Sequence, residues 1–188
     1  MDLIVSTEQA RNLILQELNH CVSSVSLEEM RTASDEILRA RRVFVAGAGR
    51  SGLALKMMAM RLMHLGLQVH VAGEVTTPAI VAGDLLIVAS GSGTTAGAVH
   101  AAQVAKKVGA RLLVITTAKS SPLGVAADSL LILPAAIKDE HGGSISQQYA
   151  GALFEQSVLL LSDILFHTMW HQRGEPAEAL WKSHANLE

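Results

Sequence analysis

Two short stretches carry residue types suited to holding an anion. Gly47-Ala48-Gly49-Arg50-Ser51-Gly52 follows the apolar run "VFVAG", and Ser90-Gly91-Ser92-Gly93-Thr94-Thr95 follows "LLIVAS". Helix-forming sequence comes after each. Glycine lets backbone turn and approach a ligand closely. Free N–H groups at the start of the next helix then aim at an anion, assisted by the helix dipole. Gly49, Gly91 and the hydroxyls of Ser51, Ser90, Ser92 and Thr95 are the candidate phosphate contacts, with Arg50 beside them as a cation. The same residues would also suit plain tight turns and helix caps, and Arg50 a surface ion pair. Neither loop ends in Gly-Lys-Ser/Thr, which argues against ATP or GTP hydrolysis.

The first loop also matches the G-x-G-x-x-G spacing of dinucleotide-binding domains. Glu74 stands near the place of the acid that such domains turn toward a ribose. NAD therefore stays open on spacing. The second loop has no counterpart in that scheme, and 188 residues leave little room for a separate substrate domain. A compact sugar phosphate held between the two loops suits the chain better.

The elements that must position these loops alternate along the sequence. Ser6 with Gln9, and Ser26 with Glu29, form capping boxes ahead of two leading helices. From residue 42 onward strand and helix alternate. Strands are expected at "VFVAG", "LQVHVAG", "GDLLIVAS", "ARLLVITT" and "DSLLILP", with helices over 51–65 and 95–108. A last long helix, apolar around most of its circumference, is expected over 148–170. Near-continuous apolar strands alternating with helices predict a parallel sheet covered on both faces, a three-layer αβα sandwich. In such sheets ligands bind beyond the carboxyl ends of the strands, where both loops would lie. One domain is expected over 1–188: leading helices 1–40, an αβα core 42–170 and a tail 171–188.

Composition narrows the function classes. The chain is 49% hydrophobic but only 3% aromatic, so Ala, Val, Leu, Ile and Met must build the core. Net charge is -2 with no basic block, which speaks against a nucleic-acid surface. No apolar run is long enough to span a bilayer. The lone Cys21 and the lack of a signal-like start suit a reducing, cytoplasmic setting. The methionines fall at helical spacing, as core filler. His167 and His171 are four apart, but no third ligand accompanies them and no metal is expected. His64 and His70 flank a helix-to-strand turn, and His141 sits in a polar loop that could cover a site.

Specific strings then point to a family. "GAGRSG", "AMRLMHLG", "VAGEVTTPAI", "GDLLIVASGSGTT", "ALFEQ" and the closing "HANLE" occur in that order. Together they resemble the 6-phospho-3-hexuloisomerase family, a branch of the SIS (sugar isomerase) domain superfamily, from the leading helices to the last residue. The resemblance implies a flavodoxin-like five-stranded parallel sheet, commonly in a tetramer. It implies conversion of D-arabino-3-hexulose 6-phosphate to fructose 6-phosphate, in the ribulose monophosphate pathway of formaldehyde fixation, with no cofactor and no metal. Related aldose–ketose isomerases and non-catalytic sugar-phosphate-binding modules share the domain. The chain departs from the family's usual residues at Thr94, Tyr149, Ala150 and Ala152.

The implied reaction moves a carbonyl from C3 to C2 through a 2,3-enediol. It needs a base, a group to manage the oxygen protons and a phosphate anchor. Glu155, near the start of the last apolar helix, is the candidate base, because an apolar setting makes a carboxylate more basic. A first-turn acid favoured by the dipole, or a partner for an interface arginine, would look the same. His184 in the matching tail is the candidate proton shuttle, acting in its own or a neighbouring copy's site. Glu74, Thr77 and Gln148 are possible site-lining residues. Arg61 is expected to have an ionic partner. The partners implied are a small sugar phosphate and further copies of the chain.

Overall fold

A computed structural model describes residues 6–140 and 143–187, so His141 lies outside the described residues. Helix α1 (Thr7–Ser23) and helix α2 (Leu27–Arg39) come first; Ser6 forms the expected capping box with Gln9, while of the box expected at Ser26 the structure shows the bond from the Glu29 N–H to the Ser26 hydroxyl. After them the chain runs through β1 (Val43–Gly47), α3 (Gly49–His64), β2 (Val69–Val71), β3 (Leu85–Ala89), α4 (Ala96–Lys107), β4 (Arg111–Thr116), α5 (Pro122–Ala126), β5 (Ser129–Ile132), α6 (Ala152–Arg173) and α7 (Ala177–Trp181). All strand pairs are parallel, in the order β2-β1-β3-β4-β5.

The three central strands, β1, β3 and β4, are buried along most of their length on both faces, and successive side chains alternate between two cores. Val43, Val45, Leu85, Ile87, Leu113 and Ile115 pack with residues of α1, α2, α3 and α6. Phe44, Leu86, Val88, Leu112 and Val114 pack with the small residues of α4 and with Leu123 of α5. The three-layer expectation is therefore met, with the leading helix pair covering this chain's own sheet. Ala98, Ala102 and Ala105 bring α4 close to the strands, which is how so few aromatics suffice.

A buried ion pair pins the start of β1 to the start of β3. Arg42 meets the fully buried Asp84 carboxylate through two nitrogens, at 2.6 and 3.1 Å. Burial works against the Asp84 charge. The Arg42 guanidinium and the Val81 N–H outweigh it and hold the carboxyl below its usual range.

Some elements differ from the sequence expectation. The second strand shrinks to three residues because Gly73 turns the chain at φ 91°. The short α5, capped by Ser121 with Pro122 at its start, is an addition to the expected elements. The last helix begins at Ala152 rather than 148 and ends three residues beyond 170, where Gly174 takes a left-handed conformation. The methionines divide: Met58 and Met169 are buried, but Met57 and Met60 lie exposed on α3.

Candidate active site

In the order 2-1-3-4-5 the chain reverses direction between β1 and β3, and a crevice opens there beyond the strand ends. Both glycine-serine loops sit at that point. They line a cleft of about 240 Å³ together with the segment after β5 and the first turn of α6. Gly49, Ser51, Ser90, Gly91, Ser92, Thr95 and Glu155 all line it.

The glycines of the first loop have different duties. A Cβ on Gly52 would stand 2.6 Å from the Gly47 carbonyl oxygen, and one on Gly47 would stand 3.0 Å from the Gly52 Cα. Those two are glycine because they pack on each other, strand end against helix. Gly49 has φ +55° and open space where a Cβ would be. It is the glycine that leaves backbone open to the cleft. Of this loop's three glycines, Gly49 is the one with open space beside its backbone.

The second loop is held from behind. The Gly91 carbonyl accepts from the hydroxyls of Thr116 (3.1 Å) and Thr117 (2.9 Å) at the end of β4. Within the loop Ser90 bonds Thr95 at 2.9 Å, and Ser92 bonds Thr94 at 2.8 Å. A Cβ on Gly93 would collide with Ser121, so the chain can turn there only with glycine.

Three helices begin at this cleft: α3 after Ala48, α4 after Thr95 and α6 after Gly151. None of the three has a side-chain cap. The first N–H groups of α3 and α4 therefore remain available, whereas at α6 the Ala152 N–H is given to the Tyr149 carbonyl at 3.2 Å, and three positive dipole ends converge on one small space. An anion with several oxygens is the ligand such a space accepts best.

Among the described residues, Glu155 brings the one carboxylate of the cleft lining. Its side chain is mostly buried, and Arg50 reaches it from the rim with Nε 3.0 Å from Oε2. Arg50 is itself largely exposed, so its guanidinium is open to solvent and to a ligand at the cleft mouth. Its neighbours along α6, Leu153, Phe154 and Val158, are all buried, and Phe154 also lines the cleft.

Four predicted residues are not brought to the cleft. Glu74 pairs with Lys56 at 2.6 Å, which holds its carboxyl below the usual range. Thr77 donates to the Val71 carbonyl and borders a separate apolar crevice with Phe44 and His100. Gln148 turns its amide toward Glu17 on α1, at 2.9 Å. His184 stacks on the buried His64 with 4.0 Å between ring centroids. His64 ends α3, about 22 Å along the helix from Gly49 at 1.5 Å per residue. Burial, with His184 and Arg61 nearby, lowers the pKa of His64.

Lys138, Ile137 and Ala136 line the cleft although sequence reasoning misses them. Lys138 is the cation among them. Its sequence signal is slight: one lysine in "AAIKDE", beyond the last strand's carboxyl end, where ligands gather. Arg61 does find its partner, Asp163 of α6 at 3.5 Å, and lies over the Phe166 ring. Among the described residues no group of three or more His, Cys, Asp or Glu could hold a metal ion, and no helix is long and apolar enough to cross a membrane.

Comparison with known proteins gives a consistent picture. Residues 36–158 match the SIS domain family. A 3-hexulose-6-phosphate isomerase of Mycobacterium gastri is 53% identical over 177 residues, spanning 94% of this chain and 89% of the relative. A protein of the same name from Bacillus subtilis is 40% identical, spanning 93% and 95%. A crystal structure from Methanococcus jannaschii, described as inferring 3-hexulose-6-phosphate isomerase function, superposes with a TM-score of 0.82 at 26% identity, spanning 96% of this chain and 99% of that one.

Proposed function

The chain belongs to the SIS domain family and is an isomerase of 3-hexulose 6-phosphate, and we propose that the cleft between β1 and β3 is where it works. The observation that carries this reading is the meeting of three uncapped helix starts with the Glu155 carboxylate in one cleft.

The phosphate binds at the starts of α3 and α4, held by Gly49, Ser51, Ser90, Gly91, Ser92 and Thr95. Arg50 and Lys138 balance its charge. Anchoring the phosphate places C2 and C3 of the sugar beside Glu155, so binding energy far from the reacting carbons orients them. Glu155 takes the proton from C2. The C2–H electron pair forms the C2–C3 double bond, and the C3 carbonyl pair moves to O3, which takes a proton. The resulting 2,3-enediol then loses the proton on O2, re-forms a carbonyl at C2 and accepts at C3 the proton that Glu155 carries. The product is fructose 6-phosphate. This fits the second step of formaldehyde fixation through ribulose monophosphate in the cytoplasm.

His184 serves the oxygen protons in this scheme. It stands at the far end of α3 from its own cleft, so the cleft it serves is that of a neighbouring copy. Leu53, Met57 and Met60 lie exposed at helical spacing on α3, and Leu160 and Ile164 lie exposed on α6, which packs against it. Exposed apolar side chains of this kind favour association and support a homo-oligomer, with a tetramer as the assembly. The test is a coupled assay that supplies 3-hexulose 6-phosphate and follows fructose 6-phosphate. Product at wild-type rates from purified Glu155→Gln would remove Glu155 from the role of base.

A further inference from the structure

The segment that leads into α6 is organised around one distant carboxylate. Glu17, on α1, accepts from the Ser146 hydroxyl (2.7 Å), the Gln147 N–H (2.8 Å) and the Gln148 side-chain amide (2.9 Å). The Ser146 oxygen in turn accepts from the Gln148 N–H at 3.1 Å. Three successive residues are thus fixed to a helix 129 to 131 residues earlier in the sequence. Burial works against the Glu17 charge, but these three donors outweigh it and lower the pKa.

The clamp leads directly into the candidate catalytic turn. Ala150 takes φ 51°, a left-handed conformation that a side chain disfavours. It holds that shape only if its surroundings impose it. Gly151 comes next, lines the cleft and starts α6, and its carbonyl accepts from the Glu155 N–H at 3.2 Å. On the other side Leu153 is buried and shares a groove with Glu17. The three clamped residues are thus separated from the start of α6 only by Tyr149, Ala150 and Gly151.

We infer that Glu17 is a positioning residue for the isomerase: by clamping Ser146, Gln147 and Gln148 it holds the Ala150–Gly151 turn that aims Glu155 into the cleft. The inference rests on Glu155 as the base. Glutamine is a poor substitute for Glu17, because its NH₂ group would face donors where an acceptor is needed. The phosphate-holding loops at 47–52 and 90–95 are separate from the three bonds of the clamp, so orientation of the base should change while phosphate binding does not.

The test measures steady-state kinetics of full-length Glu17→Ala and Glu17→Gln on 3-hexulose 6-phosphate, beside Glu155→Gln, with amide hydrogen exchange over 146–156. Misplacing a catalytic group by about 1 Å can cost about 100-fold. The expected result for Glu17→Ala is a kcat lower by about 10- to 100-fold with KM changed less than about threefold, and faster exchange confined to 146–156. Glu17→Gln should lose less. Should Glu17→Ala fold poorly, the pair Ser146→Ala and Gln148→Ala removes two donors without touching α1 and should shift kcat the same way. An unchanged kcat, or a kcat loss accompanied by an equal rise in KM or by faster exchange throughout α1 and α6, overturns the inference. Full turnover by Glu155→Gln overturns it through the base, whereas an inactive Glu155→Gln beside fully active Glu17 variants overturns the clamp alone.

Discussion

The helices of this protein start in two different ways. Those of the leading pair are closed by side chains. Ser6 accepts from the Gln9 N–H at 3.2 Å while Gln9 accepts from the Ser6 N–H at 2.8 Å, and Ser26 accepts from the Glu29 N–H at 3.3 Å. At the cleft α3, α4 and α6 start on Ala48, Thr95 and Gly151 with no such closure. Thr95 has a hydroxyl suited to capping, yet turns it to Ser90. A capped start favours the fold. An uncapped start leaves donors for a ligand. Lack of a cap does not by itself mark a site, since α7 also starts uncapped, on Pro176 outside the cleft lining; what sets α3, α4 and α6 apart is that their open starts meet in one cleft.

The largest expected effect tests the acid that the open start of α6 carries. Glu155→Gln should lower kcat by about 1,000-fold, within the usual range for losing a general base, while inorganic phosphate binds with nearly unchanged affinity. A parallel loss of phosphate affinity would make Glu155 part of the anion site instead. Next comes the packing beneath the open start of α3. Gly52→Ala drives a Cβ into the Gly47 carbonyl and should cost about 3 kcal/mol in denaturant unfolding. A loss below about 0.5 kcal/mol, the usual range at an unconstrained surface site, would show that the contact is not obligatory.

Ala48→Asp tests the contrast itself, since it installs a cap where the cleft has none. It should raise the melting temperature, as a good cap contributes about 1 kcal/mol, while weakening phosphate binding by about tenfold. Improved phosphate affinity would contradict the role given to the open start. The smallest effect belongs to the closed starts. Ser26→Ala should cost about 1 kcal/mol of stability and leave kcat and KM unaltered, as read by melting and kinetics on one preparation.

Much of the fold is legible in the sequence because its signals are local. The strand runs are continuously apolar, the serine caps stand where helices begin, and glycine turns come after strand ends. Both anion loops are visible for the same reason. Less legible are features made by residues far apart in the chain. The last helix looks four residues longer at its start, because nothing near 148 shows that Glu17 removes Gln148 from it. Gln148 itself is polar and close to Glu155 in sequence, and the same bond turns it from the cleft. Glu74 has the right spacing for a ribose ligand, but Lys56 of α3 claims it. His184 stacks at the opposite end of α3 from the cleft, and no pattern in the tail reports that distance. Lys138 escapes notice because a single lysine in a loop has no periodicity to betray it.

The packing of α6 against α1 and α3 has a consequence for synthesis. The sheet grows outward in chain order once β3 has joined β1, so strands β3 to β5 can add as they emerge. The apolar faces of α1 and α3, and the sheet face they share, are then still bare. They stay so until Ala152–Arg173 has been translated. A ribosome stalled before that point would hold a chain with a finished sheet and an open core, the kind of intermediate that aggregates or recruits chaperones.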